Sequence, residues 1–160
     1  DGVDTPATVT DELITVPLPT GLRAGTHGVQ VIQQLAMGSP PVPHTVVQSN
    51  IAAFALQPTV TATPGAGSVT LAITPKVGKR QRVRLLLNQL GAPPGTAAHT
   101  YAFDAPSRDL PGEPDETGAI TVPISGVAGG TYLVRVQVDG AESPLGVDAA
   151  GAYSTPSVVL

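Results

Sequence analysis

Five of the eight Lys and Arg residues of this chain, Lys76, Lys79, Arg80, Arg82 and Arg84, fall within nine positions. At the two-residue period of a strand, Arg80, Arg82 and Arg84 share one face, while Gln81, Val83, Leu85 and Leu87 share the other. Three guanidinium groups in a row offer forked donors to carboxylates, so one reading is a contact face for an acidic protein surface. The competing reading is a solvated sheet face whose arginines are met by nearby carboxylates. It weighs more, because exposed faces need charge somewhere and exposed ion pairs add little stability. No aromatic residues interleave with these arginines, and the net charge of −4 is of the wrong sign for a general nucleic-acid binder. No nucleic-acid partner is expected.

The acidic counterpart runs from Asp104 to Glu116 and holds Asp104, Asp109, Glu113, Asp115 and Glu116 among Pro106, Pro111 and Pro114. Clustered carboxylates on a loop can wrap Ca²⁺, but this run lacks the alternating Asp order of a calcium loop, and its prolines restrict folding back. A solvated loop is the expectation. The histidines, His27, His44 and His99, stand apart from one another, with no second ligand at metal spacing. No Gly-x-Ser-x-Gly elbow, His-Glu-x-x-His helix or Gly-rich phosphate loop occurs. The residues name no cofactor, no metal and no catalytic set, and the expectation is a chain that is not an enzyme. Ser39-Pro40-Pro41-Val42-Pro43 fits a Pro-x-x-Pro pattern; a stiff connector between strands outweighs groove recognition, since such patterns are common in loops.

The elements that must position these residues are strands. Charged residues are 12% of the 160 and apolar residues 41%, with 18 Gly and 17 Pro in no collagen period. The 20 Val and 18 Thr favour pleated structure, because branching at Cβ suits a sheet better than a helix. There is no Cys, which excludes disulfides, thiolate zinc sites and a cysteine nucleophile, and fits a cytosolic or a secreted bacterial protein equally. Apolar runs are far shorter than the ~20 residues of a membrane-spanning helix, so no membrane insertion is expected. The start, Asp1-Gly2-Val3-Asp4-Thr5-Pro6, has neither the basic nor the apolar region of a signal peptide and no initiator Met. It reads as the middle of a domain, with any targeting signal upstream.

Apolar residues alternate in short runs broken by Gly and Pro every 8–12 residues or so, the pattern of a sandwich or barrel. Strands are predicted over residues 13–18, 28–35 and 49–56, and then over 59–63, 68–74, 81–89, 100–104, 119–124, 131–138 and 155–160. A further strand over 2–9 is conceivable. The last seven occupy about 100 residues, the size of an immunoglobulin-like sandwich. A boundary at Gln57-Pro58 then divides the chain into residues 1–57, an incomplete unit, and 58–160, a complete seven-stranded one. The opening strands of the first unit are expected upstream of Asp1 rather than from another chain. An open edge left by their absence could pair with a second copy. Within 131–138, Tyr132, Val134, Val136 and Val138 share a face, and Asp139-Gly140 signals a type I′ turn. Tyr132 either fixes a corner through its hydroxyl or simply packs in the core.

Thr10-Asp11-Glu12-Leu13-Ile14-Thr15-Val16-Pro17-Leu18-Pro19 followed by Gly25-Thr26-His27-Gly28-Val29-Gln30-Val31 resembles the second half of a TIG/IPT immunoglobulin-like domain. The wider order adds Leu22-Arg23-Ala24-Gly25, Ser49-Asn50-Ile51-Ala52-Ala53-Phe54, the run from Gly78 to Asn88, and the run from Tyr132 to Leu145. It resembles the C-terminal tandem immunoglobulin-like region of tail-terminator, or cap, proteins of bacterial contractile injection systems. The resemblance implies a structural appendage of a phage-tail-like particle with protein subunits as partners, and it carries over no functional residue. Arg80, Arg82 and Arg84 are the contact face expected from their own spacing. The alternative is an extracellular adhesion module binding a glycan or protein, because such sandwiches serve both ends.

Overall fold

The computed structural model describes residue 5 and residues 7–160. Among them the chain is all β, with antiparallel pairing throughout. Chain order is β1 Thr8–Val9, β2 Ile14–Thr15, β3 Gly25–Val29, β4 Ile32–Met37, β5 Val42–Gln48 and β6 Ala52–Leu56, then β7 Thr59–Gly65, β8 Ser68–Gly78, β9 Val83–Leu90 and β10 Thr100–Asp104. It continues with β11 Glu116–Pro123, β12 Thr131–Val138, β13 Ala141–Glu142, β14 Gly146–Val147, β15 Tyr153–Thr155 and β16 Ser157–Val159.

The second part builds two sheets around one core. One has the order β11–β8–β7; the other runs β10–β9–β12, with β13 and β16 both against the far side of β12. Alternation decides what lies between them. Val69, Leu71 and Ile73 of β8, with Val60, Ile120 and Val122, meet Val83, Leu85, Leu87, Tyr132, Val134, Val136 and Val138 from the opposite sheet. Thr70, Ala72 and Thr74 point out to solvent on the same β8 strand. Burying a Val or Leu side chain stabilises by roughly 1.5–3 kcal/mol, so this seam dominates the fold.

Two local devices shape that seam. The β12–β13 hairpin closes on Asp139-Gly140, whose φ values of 44° and 90° make the expected turn of two left-handed residues. Tyr132 is fully buried, and its hydroxyl donates to the Ala128 carbonyl at 2.7 Å. The Tyr101 hydroxyl in turn accepts the Ala128 N–H at 3.2 Å. Tyr132 therefore packs in the core and fixes the corner at once.

The first part is built differently. β3 pairs with β6 and β4 with β5, so residues 25–56 form one long hairpin arm, jointed where Val31 and Ser49 exchange hydrogen bonds at 2.9 Å. Its turn is Gly38–Pro41, so the proline-rich segment is the connector expected, although Val42 and Pro43 already belong to β5. The predicted strand 28–35 is broken at Gln30–Val31, and the strand 42–48 was not predicted. The predicted strand 13–18 shrinks to Ile14–Thr15, because Pro17 and Pro19 cannot donate to a ladder. The strand read over 2–9 overlaps β1 at Thr8–Val9; its first residues lie outside those described.

The arm is tied to the two-sheet core at its base. Ala24 is fully buried within the core cluster, and its N–H donates to the Lys76 carbonyl at 3.1 Å. A side chain at Gly25 would be strained, because φ is 127° there and a Cβ would lie 2.7 Å from the Gln81 amide nitrogen, displacing the strut from Gln81 to Ala24.

Candidate interaction surfaces

Arg80, Arg82 and Arg84 are all exposed, as their period-two spacing required, but they do not share a strand. β9 begins at Val83, and Lys79–Arg80 is a turn. The predicted strand start at Gln81 is corrected for a physical reason. Gln81 is spent as a strut: its amide nitrogen donates to the Ala24 carbonyl at 2.8 Å, and its oxygen accepts the Gly78 N–H at 2.7 Å. Those bonds bend the backbone into a corner before the ladder begins.

The acidic loop supplies the counter-charges. Arg84 binds both oxygens of Asp104 at 2.7 and 3.2 Å, and Arg80 reaches Asp109 at 3.4 Å. Lys79 pairs with Asp115 at 3.0 Å, Lys76 with Glu116 at 2.9 Å, and Arg108 with Glu113 at 3.6 Å. Arg23, from the base of the arm, also reaches Glu116, at 3.6 Å. All five carboxylates of the loop thus face cations. The bond from Arg84 holds Asp104 below the ordinary carboxylate range; Lys79 does the same for Asp115, and Lys76, seconded by Arg23, for Glu116.

Arg82 stands apart. Its backbone N–H donates to the Asp139 carboxylate at 3.0 Å, yet among the described residues its guanidinium has no carboxylate within ion-pair distance. It lines two open grooves of about 500 and 440 Å³, one shared with Arg80 and the Asp104–Asp109 segment, the other with Gln137 and Asp139. The solvated-face reading describes Arg80 and Arg84, and Arg82 is the cation of the three left available.

The histidines do not converge. His27 Nε2 lies 2.7 Å from the Arg23 carbonyl and its ring stacks on Phe54; His99 stacks on Tyr101; His44 is exposed on β5. No group of three His, Asp or Glu side chains placed to hold a metal ion occurs among the described residues.

The second surface was missed by residue chemistry because it has almost none. Every residue from Gly28 to Ala53 is exposed. By the register of β4 and β5, Leu35 and Met37 share one face with Val42 and Val47. These four side chains are 52–58% exposed. The sequence signal that could have found the arm is an absence of charge, since no Asp, Glu, Lys or Arg occurs between Arg23 and Lys76. Surface strands ordinarily carry charges to stay apart.

A family model described as "Domain of unknown function (DUF8756)" matches residues 49–159. The chain belongs to this family. The matched span takes in the end of the arm's return strand pair, β6, and both sheets of the core. No curated protein matches the chain, and no solved structure matches it.

Proposed function

We propose that the chain is a non-catalytic structural module that presents an interaction arm from a rigid immunoglobulin-like sandwich. The single observation that carries this is the arm itself: an exposed, uncharged two-stranded ribbon fixed at Ala24 to a well-packed core. A two-stranded hairpin is marginal by itself in water, so an arm of this kind works by packing against something. The immunoglobulin-like assignment draws support from seven strands split β7–β8–β11 against β10–β9–β12–β16. A tyrosine at the start of the sixth strand, bonded back four residues, adds to it. Pairing of the fourth strand with the third sets this order apart from the constant-type sandwich.

Within that reading the parent is a cap, or tail-terminator, protein of a contractile phage-tail-like particle, as the sequence resemblance implies. The module decorates the end of the tube and contacts neighbouring subunits through the arm and through Arg82, with Arg80 and Arg84 flanking it. Density-gradient sedimentation of a native lysate, blotted with antibody to this chain, tests the proposal. The parent protein is expected in heavy fractions with tube and sheath subunits, and Arg82→Glu should shift it towards the top. Confinement to light or envelope fractions overturns the particle assignment.

A further inference from the structure

The two outer edges of the arm are not alike. β5 is blunted twice, by Pro43 and by a bulge at Val46, where the register steps from Gln33↔Val47 to Gln34↔Thr45. Pro43 has no N–H to give, so its pairing with Ala36 is a non-hydrogen-bonded one, in which both residues turn their own polar groups outwards. On the β5 side the outward nitrogen is therefore a proline's and donates nothing. On the β4 side the Ala36 N–H and C=O face out and are available. β4, Ile-Gln-Gln-Leu-Ala-Met, contains no proline, no charge and no bulged residue. Among the described residues no strand pairs with its outer edge.

We infer that the open edge of β4 pairs antiparallel with β4 of a second copy of this chain, joining two arms into a four-stranded sheet. The occupant follows from charge. Two-fold pairing of β4 with itself about Leu35 sets the axis residue against its own twin and the residues beside it close to theirs. A Lys, Arg, Asp or Glu at the axis would therefore meet a like charge. The whole stretch between Arg23 and Lys76 is free of them, whereas a partner of different sequence would tolerate charge and be steered by it. Geometry agrees. Symmetric pairing about Leu35 puts Leu35 opposite its twin and keeps Met37 and Val42 of both copies on the same side. Two isolated ribbons become one four-stranded sheet that carries Leu35, Met37, Val42 and Val47 of both copies on one face, interspersed with Gln33 and His44. More than two strands with an apolar face are what gives a sheet independent stability. This inference rests on reading the chain as an assembly module and names its partner.

The test is sedimentation equilibrium of the 160-residue chain from about 10 μM to about 1 mM, a span that covers weak association. The weight-average mass should climb from 16.1 kDa towards twice that value. Ala36→Pro removes the outward N–H without touching the β4–β5 ladder, and Leu35→Lys places like charges at the two-fold axis. Each should weaken association about tenfold or more, with thermal melting of the sandwich unchanged. Mass that stays monomeric throughout, or a dimer indifferent to both variants, overturns the inference. A dimer of the purified chain whose parent never sediments with particles would remove the particle assignment and leave the pairing standing.

Discussion

Asp139 and Arg82 hold one another by two hydrogen bonds, from Asp139 N–H to the Arg82 carbonyl at 3.1 Å and from Arg82 N–H to the Asp139 carboxylate at 3.0 Å. The Asp139 carbonyl also accepts the Thr26 hydroxyl at 3.2 Å. One turn residue thereby fixes the β12–β13 hairpin, the approach to β9 and the base of the arm. It holds the Arg82 backbone, while among the described residues the Arg82 side chain has no carboxylate partner.

Asp139→Ala should destabilise the chain by about 1–3 kcal/mol. It forfeits a charge-assisted bond and puts a residue with no local side-chain partner at positive φ. Asp139→Asn, which keeps an acceptor oxygen and tolerates that φ, should recover most of the loss. Urea unfolding of the three proteins checks the order; equal midpoints for Ala and Asn would contradict it.

Tyr132→Phe isolates the corner from the core. The ring stays, while the bond to the Ala128 carbonyl goes, at a cost of about 1 kcal/mol. Tyr132→Ala should cost about 3–5 kcal/mol, because it empties the centre of the seam. Similar melting shifts for the two variants would mean that the ring contributes little beyond its hydroxyl.

Stability should form a plateau that falls at both ends of the pH scale. Asp104, Asp115 and Glu116 are held below their ordinary values, so they add stability above the unfolded range near pH ~4 that is lost as pH drops through their folded values. Tyr132 is pushed up by burial and by Tyr101, so its contribution is complete below the unfolded value near ~10. It is lost as pH rises through the folded value. Thermal melts across pH check both flanks. Asp104→Asn should soften the acid flank alone, and added salt should weaken that flank further, because the pairs are exposed. An acid flank that Asp104→Asn leaves unchanged would remove that pair from the account.

Strands with alternating apolar residues and clean flanks were legible at the residue level. Thr100–Asp104 and Thr131–Val138 occur with the bounds the sequence predicts, since one face of each must enter the core and the flanking Gly and Pro stop it. The arm's return strand, Val42–Gln48, was not. Pro40, Pro41 and Pro43 argue against a ladder, and only the outward-facing position of Pro43 makes it admissible. The Arg80/Arg82/Arg84 spacing gave the correct exposed side. The sequence could not say that Asp104 and Asp109 would quench two of the three, because that choice depends on how the loop after β10 folds back. The bend at Gln81 was hidden for a related reason: its two partners, Ala24 and Gly78, are brought together only by the docking of the arm.

Hydrogen exchange of the intact chain at low and high concentration tests the central claim, that the arm is the working surface and the sandwich its carrier. Amides of β8, β9 and β12 should be protected at every concentration, whereas the outward amide of Ala36 should slow only as concentration rises. An Ala36 amide that exchanges at the same rate at both concentrations would contradict the account.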